Sequence, residues 1–163
     1  MSAHQVDAFE FCRLDEQLSG STPVADFARL TTETADRGGE IRWSFAGGRH
    51  SKGFPQLTMV VEGEVFLLCQ RCLSSYRQPL ASTTVLVMAR DEADADETEE
   101  RLDDDSIDVI VGSASRDLLQ LVEDEVLLSL PLSPRHESCP GEVPTAVSDK
   151  PDSPFAVLKT LKN

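Results

Sequence analysis

The stretch that decides the fold is residues 56–69, Q-L-T-M-V-V-E-G-E-V-F-L-L-C. Most of its large apolar side chains fall on alternate positions and share one face: Leu57, Met59, Val61, Val65, Leu67 and Cys69. Glu62 and Glu64 fall on the opposite face. Because side chains alternate between the two faces of a β-strand, this pattern predicts a long, half-buried strand.

Segments on both sides of this strand predict further strands. Ile41, Trp43 and Phe45 alternate with polar residues, and residues 80–89, L-A-S-T-T-V-L-V-M-A, are rich in strand-forming side chains. Three strands so close in sequence predict an antiparallel meander. Residues 107–111 predict a short additional strand, and the weak alternation over 5–14 predicts another at the start of the chain.

Two helices are expected beside this sheet. Thr22 is a suitable N-cap and is followed by proline, which predicts a helix over 23–36. A second apolar stripe at helical spacing covers 116–129, and prolines follow it. At 163 residues and 17.9 kDa the chain has the size of a single domain, 1–163. We therefore expect an α+β fold: a small, mostly antiparallel sheet with two packed helices.

Charge is distributed unevenly along the chain. Residues 91–108 hold eleven acids and one base, so they supply −10 of the net charge of −14. The only apolar side chain larger than alanine between 91 and 105 is Leu102, too little to bury, and we expect a mobile acidic loop at 91–106. The Pro-rich stretch 137–153 predicts a flexible segment, and the chain then reads P-F-A-V-L-K-T-L-K at 154–162, a short amphipathic turn.

The middle of the chain is locally basic. Residues 37–90 hold seven bases and three acids, a net charge of +4. Arginine suits phosphate contacts, so these side chains are candidates for binding RNA, although ordinary surface arginines would look the same. The sequence pI near 4.5 argues against a strongly basic nucleic-acid module. The RNA-contact candidates are Arg42, Arg49, Lys52, Arg71 and Arg77.

The segment C-Q-R-C at 69–72 allows three interpretations. A redox dithiol would need a helix N-terminus to lower the thiol pKa, and no helical start follows. The second interpretation is half of a zinc site, because two thiolates at this spacing form a chelating knuckle. His136 and Cys139 would supply the other half, provided that folding brings the distant segments together. The third is a tight hairpin corner in which Cys69 is a buried thiol.

Other chemistry has no residues to support it. The sequence lacks G-x-S-x-G, a phosphate-binding G-x-x-x-x-G-K and the dinucleotide-binding G-x-G-x-x-G, and its three histidines are scattered. The acidic run lacks the ligand spacing of a calcium loop. We see no run of about 20 apolar residues and no secretory signal, so we expect a cytoplasmic protein.

Three segments, taken in order, resemble one family. They are E-G-E-V-F-L-L-C-Q-R-C-L at 62–73, L-V-E-D-E-V-L-L-S-L-P-L-S-P-R-H at 121–136 and P-F-A-V-L-K-T-L-K at 154–162. Each resembles a block of the YceD family, the bacterial large ribosomal RNA subunit accumulation proteins. Some relatives carry a second cysteine-rich knuckle after the helix, whereas this chain has only His136 and Cys139 there.

The resemblance implies a non-enzymatic role in the synthesis, processing or stability of 23S rRNA. The implied partners are 23S rRNA, a large-subunit ribosomal protein or a precursor particle, with no small-molecule substrate and no membrane. A zinc- or redox-responsive regulatory protein that uses the Cys69/Cys72 pair is the alternative.

Overall fold

The structure is a computed structural model that describes residues 4–141. Within that range the strands are β1 (Gln5–Val6), β2 (Gln17–Pro23), β3 (Glu40–Arg49), β4 (Pro55–Leu68), β5 (Ser75–Ala89), β6 (Ile107–Val111) and β7 (Arg116–Asp117). The helices are α1 (Ala8–Arg13), α2 (Leu30–Glu33), α3 (Glu92–Leu102) and α4 (Leu118–Ser129). This composition confirms the α+β class.

The main sheet has the strand order β2-β3-β4-β5-β6. Its first four strands are antiparallel, and β6 lies parallel to β5. β1 and β7 form a separate two-stranded ladder that ties the N-terminal residues to the start of α4. The predicted meander is thus confirmed as β3-β4-β5, and the strand predicted at 107–111 is β6.

The core lies on one face of this sheet. Trp43 is opposite Val61, and Phe45 is opposite Met59, with all four side chains buried. α1 and α4 pack over this face. A Cβ at Gly47 would lie 2.3 Å from the carbonyl oxygen of Phe11, so the close approach of α1 to β3 requires glycine there.

Two predictions for the first third of the chain are wrong. Residues 5–14 form mainly α1 rather than a strand, because the Asp7 side chain caps the helix. The helix predicted over 23–36 is reduced to a 3₁₀ turn at Val24–Asp26 and the four-residue α2. The expected cap, Thr22, lies in edge strand β2 and accepts a 3.0 Å hydrogen bond from Trp43 Nε1 instead.

The prediction of an acidic loop at 91–106 is also wrong, because Glu92–Leu102 is helical. The Asp91 side chain caps this helix through the backbone N–H of Asp94, and its first turn is acidic, which suits the positive end of a helix dipole. Ala95, Thr98 and Leu102 are buried at spacings of three and four residues. α3 is therefore a crossover helix that packs on β5 and β6.

The helix predicted at 116–129 is confirmed as α4, which begins at Leu118 with Asp117 as its N-cap. None of the helices in residues 4–141 is long and apolar enough to cross a membrane. Of the Pro-rich segment 137–153, only 137–141 are among the described residues, and Cys139 there is buried. The amphipathic turn predicted at 154–162 lies outside them.

Candidate metal centre

The C-Q-R-C segment forms the turn between β4 and β5. The backbone N–H of Cys69 donates to the Ser74 carbonyl at 2.9 Å, and the N–H of Leu73 donates to the Cys69 carbonyl at 2.8 Å. Leu73 has a left-handed φ of 57°, a conformation typical of a tight turn. Cys69 is fully buried and Cys72 half-buried, so the hairpin corner that the sequence suggested is present.

The segment that follows α4 returns to this turn. The N–H of Gln70 donates to the Pro134 carbonyl at 2.9 Å, and the Arg71 guanidinium donates to the His136 carbonyl at 3.0 Å. The Tyr76 ring lies 5.1 Å from the His136 ring, centroid to centroid. These contacts hold His136 and Cys139 beside the corner, although some 63 residues separate Cys72 from His136.

The four predicted ligands lie together. Their ligand atoms, three cysteine sulfurs and one histidine nitrogen, are all within 4.8 Å of one another. Cys69 Sγ is 3.8 Å from Cys139 Sγ, and Cys72 Sγ is 3.4 Å from His136 Nδ1. A tetrahedral zinc ion with typical bond lengths sets two sulfurs roughly 3.8 Å apart and a sulfur and a nitrogen roughly 3.5 Å apart. The donor set and these two separations fit a tetrahedral ion.

The surroundings of Cys69 and Cys139 shift the pKa values of the two thiols in opposite directions. Burial opposes ionisation of Cys69, but backbone N–H groups of Cys72, His136 and Arg71 outweigh it and lower its pKa to about 5. Burial, together with the sulfurs of Cys69 and Cys72, raises the pKa of Cys139 to about 11. Neighbouring thiolates repel one another, and a bound divalent cation offsets that repulsion.

Of the five basic RNA-contact candidates, Lys52 and Arg71 lie beyond opposite ends of β4, whereas Arg42 and Arg77 line one hollow. β4 separates the turn that carries Lys52 from the turn that carries Arg71, and its 14 residues span roughly 40 Å. Arg42 pairs with Glu62 at 3.5 Å, and Arg77 pairs with Glu64.

Lys52 has a structural role that the sequence did not indicate. Its ammonium donates to the carbonyls of Arg101 and Leu102, both at 2.8 Å, at the C-terminal end of α3. The Arg101 guanidinium lies 4.9 Å from the centre of the Phe54 ring. Both contacts fasten the acidic helix to the β3–β4 turn, at the opposite end of β4 from the cysteines.

The sequence reasoning missed Glu123, a buried carboxylate on α4. It accepts hydrogen bonds from the backbone N–H groups of Arg29 at 2.7 Å and Leu30 at 3.0 Å, and it pairs with the Arg29 guanidinium at 2.9 Å. It thereby caps α2 from another element. The only sequence signal for its burial was its position next to Val122, which lies on the buried side of α4.

The structure thus defines an α+β domain with a Cys₃His cluster, which lies between the β4–β5 corner and the segment after α4. Comparison with known proteins then identifies the family. The family model of the large ribosomal RNA subunit accumulation protein YceD matches residues 57–162. A Haemophilus influenzae protein named large ribosomal RNA subunit accumulation protein YceD is 37% identical over 125 residues, which cover 66% of this chain and 68% of that protein. The chain belongs to the YceD family. No solved structure matches it.

Proposed function

We propose that the protein is a non-enzymatic ribosome-biogenesis factor that supports accumulation of the 23S rRNA of the large subunit in the bacterial cytoplasm. The observation that carries this proposal is the family match over 57–162, which includes both halves of the cysteine cluster. The relative's name refers to the large ribosomal RNA subunit.

We further propose that Cys69, Cys72, His136 and Cys139 hold a structural zinc ion. Four protein ligands leave no open position for a substrate, which is the arrangement of structural rather than catalytic zinc sites. Its role would be to join the β4–β5 corner to the segment after α4, in addition to the hydrogen bonds that Gln70 and Arg71 make to that segment. Zinc binding by such a set stabilises the folded state directly.

For the partner, the described surface favours a cationic protein over bare RNA. Arg42 and Arg77 have acidic partners and Lys52 is engaged at α3, which weakens the case for a phosphate-binding face. α3 instead presents several exposed acids. They are Glu92, Asp96, Glu97, Glu99 and Glu100, of which Glu97 pairs with Arg101 at 3.9 Å. A basic ribosomal protein of the large-subunit precursor is the partner that this charge suits.

Deletion of the gene in the bacterium that encodes the chain tests the function. We expect the ratio of 23S to 16S rRNA to fall, and expression of the wild-type chain to restore it. Messenger RNAs of unrelated genes serve as the internal control. An unchanged ratio in a clean deletion would overturn the proposal.

Two sets of full-chain variants then separate the partners. Neutralising Asp96, Glu97, Glu99 and Glu100 with the corresponding amides should weaken association with precursor particles, whereas the same change at four exposed acids elsewhere should not. The matched acids are Asp15, Glu16, Asp26 and Glu40. If charge reversal at Arg42, Arg49 and Arg71 instead weakens association and lowers the salt dependence of the binding that remains, RNA is the partner.

A further inference from the structure

An apolar groove lies beside the cysteine cluster. Leu67, Leu127 and Leu130 are among the side chains that line it, and Leu68 and Leu132 stand at its edge. Its volume is about 510 Å³. Leu132 is fully exposed, and Leu68 is 49% exposed. Large exposed apolar side chains concentrated in one place on a small domain indicate a binding surface.

The described part of the chain ends close to this groove. Pro134 and Gln70 line the groove, and their backbones are hydrogen-bonded to each other beside the cysteine cluster. The last described residue, Gly141, follows the buried Cys139 by two positions. Thirteen residues, 142–154, could span up to roughly 40 Å, so residues that follow can reach the groove.

The sequence beyond Gly141 contains a suitable occupant. Within 154–162, Phe155, Val157, Leu158 and Leu161 are apolar, and Lys159 and Lys162 lie among them. The acid at the groove is Glu33, whose charge is opposite to that of the two lysines. The family match runs from residue 57 to residue 162, so it includes this segment and the groove residues other than Glu33.

We propose that the groove formed by the end of β4 and the segment after α4 binds residues 154–162 of the same chain. The segment would cover Leu68 and Leu132, which line the groove. This inference goes beyond the proposed function and does not depend on it, because it concerns contacts within one chain.

Photo-crosslinking of the full chain tests the inference. Phe155 is replaced by p-benzoylphenylalanine, and a matched protein carries the same probe at Ser148. After irradiation, peptide mass spectrometry should locate the Phe155 crosslinks at Leu68 and residues 127–134. The Ser148 probe should give at least about fivefold less crosslinking to that groove.

Two substitutions at exposed leucines, one in the groove and one outside it, distinguish a loss of docking from a loss of folding. Leu132→Glu alters a fully exposed side chain and should abolish most of the Phe155 crosslink, whereas Leu14→Glu, at an exposed leucine between α1 and β2, should leave it unchanged. Mixed light and isotope-labelled chains report the source of each crosslink. Crosslinks only between copies would overturn the intrachain occupant, and crosslinks to another surface, or none, would overturn the proposal altogether.

Discussion

The Glu123 cap of α2 yields the most quantitative prediction. Glu123 is 8% exposed and accepts two backbone hydrogen bonds, one of them from the buried N–H of Leu30. Glu123→Ala removes Oε1, the oxygen that accepts both bonds, and leaves the backbone N–H groups of Arg29 and Leu30 without that acceptor. Hydrogen bonds to a charged group are worth about 1.5–3 kcal/mol each, so we expect the free energy of unfolding to fall by about 3–5 kcal/mol.

Urea unfolding followed by the fluorescence of Trp43, the only tryptophan and a buried one, measures this loss. Asp124→Asn is the matched control, because Asp124 binds the same Arg29 guanidinium at 2.6 Å but is 46% exposed. An exposed pair of this kind contributes about 1 kcal/mol or less. If Glu123→Ala costs no more than Asp124→Asn, the trans cap does not stabilise α2 and the reasoning is refuted.

Three further changes probe the sheet and the acidic helix. Gly63→Ala would place a Cβ 2.3 Å from the Glu40 carbonyl oxygen, and we expect a loss of about 1–3 kcal/mol in urea unfolding. Leu102→Ala should cost about 2–4 kcal/mol because Leu102 anchors α3, whereas a solvated loop would lose almost nothing. Hydrogen bonds from the side chain and backbone N–H of Arg90 lower the pKa of Asp94 below its ordinary 3.8. The stability that this carboxylate contributes is full above the unfolded-state pKa and is lost as pH falls through the folded-state pKa, so Asp94→Asn should flatten the acid limb of a stability–pH curve.

Strands β3, β4 and β5 could be predicted from the sequence because the pattern that defines them is local, whereas edge strand β2 was not predicted. Alternating apolar residues such as Ile41, Trp43 and Phe45 define both the strand and its buried face. The four metal-site residues could be proposed from two short spacings, C-x-x-C and H-x-x-C. Their meeting could not be derived, since it depends on how α4 returns the chain to the β4–β5 corner.

The missed elements depend on tertiary contacts. α3 looked like a solvated loop by composition, but the 95, 98 and 102 spacing gives it one buried face, and Lys52 reaches its C-terminal carbonyls from another turn. The prediction of a helix at 23–36 was wrong because the Thr22 hydroxyl accepts a hydrogen bond from Trp43 in the neighbouring strand rather than from the backbone N–H groups of a following helix. Lys52 is distant in sequence from α3, and Trp43 is distant from Thr22, so neither contact could be predicted from local sequence.

The central claim is that two remote segments build one zinc centre, and zinc K-edge X-ray absorption on the full chain, purified without chelator, tests it most directly. We predict one zinc per chain with three sulfur ligands at about 2.3 Å and one nitrogen at about 2.0 Å. Cys139→Ser should reduce the sulfur count by one. A metal-free chain from zinc-replete cells, or zinc surrounded by oxygen and nitrogen alone, would contradict the account.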